Sequence, residues 1–142
     1  MAHQLTRAEA LDWIEARPRT AKLATVLADG GPHVAPVWVA RDGDRLRFTT
    51  HESSLKAAAL RRDPRVALCF DDETPPFAFV LVLGTIELST DADELLRWAT
   101  TIGGRYMGAE RAEEYGRRNG VEGELLVTVT PTRVRGTTGV AD

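Results

Sequence analysis

With a single cysteine, Cys69, the chain has no internal disulfide, and the apolar run Val66-Ala67-Leu68-Cys69-Phe70 marks that thiol as a buried spectator, not a nucleophile. Histidine is almost as scarce. His3, His33 and His51 show no paired spacing with one another or with the cysteine, so no metal ligand set is expected. Positive charge is not in excess either: the net charge of −3 argues against a general nucleic-acid role. The longest apolar stretch, Phe77 to Leu83, is far too short to cross a bilayer, and the first residues read as a polar helix, so a cytoplasmic protein with no membrane partner is expected. Also missing are a Gly-x-Ser-x-Gly elbow, a Walker sequence and a dinucleotide fingerprint, since Gly30-Gly31 and Gly103-Gly104 fit none of these. No residue is therefore nominated as catalytic. If the chain is an enzyme, a bound cofactor supplies the reactivity and the protein supplies geometry and electrostatics.

At 142 residues the chain fits one domain, 1–142, long enough to bury a core. Thr6-Arg7-Ala8-Glu9 is a capping box that starts a helix to about Arg17, with Ala10, Leu11 and Ile14 on its apolar face and Pro18 after it. Strand patterns follow over Thr20 to Leu27, His33 to Ala40 and Arg45 to Thr50, separated by turns at Asp29-Gly30-Gly31-Pro32 and Arg41-Asp42-Gly43-Asp44. A short helix closed by Asp63-Pro64 precedes a strand over Val66 to Phe70, and Glu73-Thr74-Pro75-Pro76 is a loop. Phe77 to Ser89 is apolar enough to read as a strand covered on both faces, with Gly84 marking a bend. Thr90-Asp91-Ala92-Asp93 starts a helix to about Ile102, which Gly103-Gly104 interrupts and Ala109 to Arg117 resumes, with a charged solvent face. A last strand covers Glu124 to Thr130, and the tail after Gly136 reads as loosely ordered. Six antiparallel strands with three helical segments outside them predict a mainly β, α+β barrel.

The most informative segment is Thr49-Thr50-His51-Glu52-Ser53-Ser54-Leu55-Lys56. There a strand ends in two hydroxyls, and a Ser pair opens a helix beside Lys56. Helix N-termini hold unsatisfied N–H groups and a positive dipole end, so hydroxyls and an ammonium gathered there suit a phosphate. The same residues also fit an ordinary N-cap with a solvated lysine.

Ala24-Thr25-Val26, Asp29-Gly30, Pro32-His33-Val34, Pro36-Val37-Trp38, Thr50, Ser54-x-Lys56, Leu60 to Val66, Gly84-Thr85, Arg105-Tyr106-Met107-Gly108 and the final strand to Pro131 carry a resemblance across most of the chain. In these residues it resembles the pyridoxamine 5'-phosphate oxidase-like split β-barrel proteins (the FMN-binding split barrel), and within them the actinobacterial branch that uses the deazaflavin coenzyme F420. The resemblance implies an oxidoreductase with F420 as cofactor and FMN as the alternative. It places the ring system along Pro36, Val37 and Trp38, and the phosphate tail near Thr49, Thr50, Ser54 and Lys56. Many relatives carry an Arg beside that lysine where this chain has Ser54 and Leu55, which favours deazaflavin. Trp38 fits either a cover for the ring or an aromatic of the core or dimer interface. Arg61 and Arg62 could extend the positive field. The expected partners are a small-molecule substrate and a second copy of the chain. The competing class is a non-catalytic flavin- or haem-binding split barrel.

Overall fold

The computed structural model describes residues 1–142. The capping box at Thr6 forms as read: the Thr6 hydroxyl accepts the Glu9 N–H at 3.2 Å and the Glu9 carboxylate accepts the Thr6 N–H at 2.8 Å, opening α1 (Arg7–Ala16). Strands β1 (His3–Gln4), β2 (Ala21–Val26), β3 (Pro32–Val37), β4 (Ala40–Asp42), β5 (Arg45–His51), β6 (Arg65–Asp72), β7 (Ala78–Ser89) and β8 (Glu124–Thr138) form one antiparallel sheet, in the order β3-β2-β6-β7-β8-β5-β4, with β1 added on β8. Helices α2 (Leu55–Arg62), α3 (Ala92–Met107) and α4 (Ala112–Asn119) complete the chain. The sheet wraps around Leu23, Phe48, Leu68, Phe70, Val80, Val82 and Val127, against which Leu11 and Ile14 of α1 pack. A second, smaller cluster of Leu95, Trp98 and Ile102 with Ala40 and Leu126 seats α3 on the other side of β4, β5 and β8. No helix is long and apolar enough to cross a membrane.

Eight strands replace the six expected. β4 occupies part of what reads as a turn, pairing Ala40 with Arg47 and Asp42 with Arg45, and β1 pairs His3 with Thr138. The pattern His33 to Ala40 splits into two strands because the chain leaves the ladder at Trp38-Val39, where the Val39 N–H donates to the Tyr106 hydroxyl instead. The tail after Gly136 is also more ordered than expected, since β8 continues to Thr138.

Gly103-Gly104 does not interrupt α3. A Cβ at Gly103 would collide with the Tyr115 Cβ, so the glycine lets α3 and α4 approach closely while the helix runs on to Met107. β7 is not covered on both faces of the protomer. It alternates strictly, with Ala78, Val80 and Val82 inside and Phe79, Leu81 and Leu83 outside. Cys69 likewise lies half-buried on the outer face, not in the core; burial and the Asp71 carboxylate raise its pKa above the usual thiol range, which keeps it unreactive.

Gly84 does mark the bend, sitting at a register shift between β7 and β8. A Cβ there would lie 2.6 Å from the Thr130 carbonyl oxygen, a backbone atom with little room to yield. Gly84→Ala is expected to cost about 1–3 kcal/mol of stability by overpacking, read as a lower denaturant midpoint with unchanged slope. A midpoint equal to that of the wild type would show that the bulge relaxes freely.

Candidate functional site

A cavity of about 490 Å³ opens between the end of β3, the end of β5 and the start of α2, lined by Thr20, Pro36, Val37, Trp38, Thr49, Thr50, His51, Ser54, Lys56, Ile102, Asn119 and Glu124. All seven residues singled out in the sequence, Pro36, Val37, Trp38, Thr49, Thr50, Ser54 and Lys56, converge on it. Thr20, His51, Ile102, Asn119 and Glu124 join them without having been singled out.

The two halves of the cavity differ in chemistry. One wall is β3, an edge strand, which suits Pro36 because proline has no N–H to give a neighbouring strand. Trp38 follows it, stacked on Tyr106 with ring centroids 5.0 Å apart and planes within 5°, and tilted against Tyr115 at 6.0 Å. The Tyr106 hydroxyl accepts the Val39 N–H at 3.2 Å and donates to the Arg19 carbonyl at 2.6 Å, tying the segment after β3 to the segment before β2. Beside it, the Arg105 guanidinium donates to the carbonyls of Ile14, Glu15 and Arg17 at 2.6–2.8 Å, satisfying the C-terminal end of α1. Tyr106 thus backs Trp38, while Arg105 ties the same helix to the end of α1. Arg19 is itself fixed by Asp72, whose carboxyl it holds below the usual range through a hydrogen bond at 2.6 Å.

The other half is polar. Ser54 caps α2, its hydroxyl accepting the Ala57 N–H at 3.0 Å and meeting the Thr50 hydroxyl at 2.9 Å. Two hydroxyl hydrogens serve one mutual bond, so the other remains available to an acceptor in the cavity. Period-two alternation puts Thr50 on the core side of β5 and Thr49 on the opposite side with His51, so the paired threonines reach the cavity from different faces. The His51 ring is held at Ser53, whose hydroxyl and N–H lie 2.7 and 3.1 Å from Nδ1. Lys56, a half-buried residue, forms no ion pair in the protomer and is the only lysine or arginine of the lining. Arg61 and Arg62 contribute none: they donate to the carbonyls of Glu52 and Val26.

This donor set fits the phosphate end of a planar cofactor, with hydroxyls, a helix N-terminus and one free cation at one end and an edge strand with a braced aromatic at the other.

Among solved structures, a conserved hypothetical protein, Rv2991 from Mycobacterium tuberculosis, superposes with a TM-score of 0.82 at 28% identity, over 95% of this chain and 86% of its own. An F420 reductase does so with a TM-score of 0.65 at 27% identity, over 87% of this chain and 94% of its own. A haem-binding protein from Mycobacterium smegmatis, 20% identical with a TM-score of 0.70 over 96% of this chain and 60% of its own, shares the fold. No match was found among curated proteins. Residues 6–138 match the pyridoxamine 5'-phosphate oxidase family. The split barrel, the cofactor-sized cavity at α2 and this match over nearly the whole chain make it a member of the pyridoxamine 5'-phosphate oxidase-like family of flavin- and deazaflavin-binding proteins.

Proposed function

We propose that this chain is a cytoplasmic, F420-dependent reductase that works as a homodimer and passes a hydride from the reduced deazaflavin to an electron-poor small molecule, such as a quinone, enone or tetrapyrrole-like substrate. The observation that carries the reading is the meeting of Thr50, Ser54 and Lys56 with the Pro36–Trp38 edge in one cavity. The 27% identity to an F420 reductase supports deazaflavin, and the absence of an arginine from the lining speaks against an FMN-type phosphate clamp.

Each part of the chain then has a task. Lys56 and the free hydroxyl hydrogen of the Thr50–Ser54 pair hold the phosphate, while the backbone along β3 holds the ring against an edge that no strand occupies. Trp38, braced by Tyr106, keeps that edge from collapsing. Reduced deazaflavin, when bound, supplies the hydride. The protein excludes water from one side of the ring and orients it.

The remaining wall comes from a second copy. Cross-strand register aligns Val34, Ala24, Ala67 and Leu83 in one row of the outer face, and Pro36, Lys22, Cys69 and Leu81 in the next. Val34 is 66% exposed, Phe79 38% and Leu83 37%, so apolar side chains of β3 and β7 stand open on this face beside the Lys22–Asp71 ion pair. It runs directly into the cavity through Pro36, so a symmetric partner seated on it would close the groove.

Turnover decides between catalysis and carriage. Protein mixed with reduced deazaflavin and a quinone should oxidise the cofactor over many cycles. FMN-supported turnover without any deazaflavin-dependent rate would reverse the cofactor assignment. Tight binding of deazaflavin, FMN or haem with no turnover would make the chain a carrier.

A further inference from the structure

The cavity contains a carboxylate that phosphate binding does not use. Glu124 opens β8 directly opposite His51 of β5, so the two side chains share the sheet face on which Thr49 also lies. Glu124 lines the same cavity as Lys56, and the Lys56 ammonium and the His51 ring both act on its carboxyl; α4 adds only the neutral Asn119 to the lining. With Arg61 and Arg62 engaged elsewhere, the lining sets one permanent cation against one carboxylate. An anion cradle built for maximum affinity would not keep an acidic side chain within reach of its only lysine.

We infer that Glu124 selects the charge of the phosphate admitted here, accepting a monoanionic phosphodiester in preference to a dianionic phosphomonoester. The inference deepens the cofactor reading above and rests on it. A phosphate bridging two alcohols carries one negative charge at neutral pH, whereas a terminal phosphate carries close to two. Lys56 neutralises the first. The second charge of a monoester meets Glu124 in a partly desolvated site, where like charges repel more strongly than in water. Burial already raises the Glu124 pKa above the usual carboxyl range, with Lys56 and His51 pulling it back, so a dianion must either be repelled or force a proton onto this carboxyl. F420 carries its phosphate as a diester and FMN carries a monoester, so this one residue gives a physical reason for a preference between them.

The test uses three flavins that differ only at the phosphate: riboflavin, FMN and the methyl ester of FMN. Their dissociation constants at neutral pH are read by flavin fluorescence on wild type, Glu124→Gln and Glu124→Asp, with circular dichroism confirming the fold. Wild type should bind the methyl ester roughly tenfold more tightly than FMN. Glu124→Gln should close that gap by gaining affinity for FMN, and Glu124→Asp should keep it. If wild type binds FMN and its ester equally, and both better than riboflavin, the phosphate cradle stands and the role of Glu124 is overturned. The same holds if the gap survives in folded Glu124→Gln. If riboflavin binds as tightly as both phosphorylated forms, the phosphate is not read in this cavity, and the cofactor assignment falls together with the inference. Should Glu124→Gln fail to fold, equal binding of FMN and its ester by wild type still overturns the inference, and Glu124→Ala takes the place of the Gln variant for assigning an observed gap.

Discussion

Lys56→Ala is expected to weaken deazaflavin binding by about 10- to 100-fold, the consequence of losing one charge-assisted contact worth roughly 1.5–3 kcal/mol. The size of the effect follows from the setting of the ammonium. Lys56 sits half-buried at the first turn of α2, has no carboxylate partner within ion-pair distance, and is the only lysine or arginine in the cavity lining, so no neighbouring permanent cation can take its place. Its removal leaves the hydroxyls of Thr50 and Ser54 and the N-terminus of α2 to hold an anion by neutral donors alone. The fold should be unaffected, because Ser54 still caps the helix through the Ala57 N–H. Titration of the folded variant gives the answer. Lys56→Arg, which keeps the charge, should recover most of the affinity, and an unchanged dissociation constant in Lys56→Ala would remove this residue from the site.

Leu83→Asp is expected to convert a dimer at micromolar concentration into a monomer, and to cost the cofactor at least tenfold in affinity by taking away one wall of its groove. Leu83 lies in the row Val34-Ala24-Ala67-Leu83 on the outer face of the sheet, where it is 37% exposed in the protomer and stands outside the buried core. An aspartate there faces Arg133 directly across the ladder and is tolerated by the isolated chain. Packed against a symmetric copy, the carboxylate and the Arg133 guanidinium would be taken out of water together, which carries a penalty of several kcal/mol. Sedimentation with and without cofactor separates the outcomes. A Leu83→Asp dimer, or a monomer that binds cofactor at full affinity and stoichiometry, would overturn the shared groove.

The polar half of the cavity was legible because it is local. Thr50, Ser54 and Lys56 are joined by a strand end, a cap and the first turn of a helix, and capping chemistry is written in adjacent residues. Pro36 to Trp38 could be placed by family resemblance and by the rule that a strand proline seeks an edge. Convergence of the two groups on one cavity is geometry; their role toward a cofactor is a proposal. Glu124, Asn119, Ile102 and Thr20 were not legible, because each reaches the cavity from a distant part of the chain through tertiary packing. Glu124 in particular reads only as the first residue of the last strand, and it is the register that sets it opposite His51. The misread elements have similar causes. Gly103 reads as a helix breaker when only propensity is weighed, yet close packing against Tyr115 requires it within the helix. Strand β7 reads as doubly buried because its outer residues are apolar, a composition that inside a barrel and against a partner protomer looks the same.

In the proposed complex a phosphate-bearing deazaflavin lies along β3 with its phosphate at the start of α2. A crystal of the protein soaked with oxidised F420 is the decisive experiment. Density for the phosphate is expected within hydrogen-bond distance of the Lys56 Nζ and of the Ser54 or Thr50 hydroxyl, with the ring along Pro36, Val37 and Trp38. Density for the cofactor elsewhere, or a phosphate remote from Lys56 with the ring turned away from β3, would contradict it.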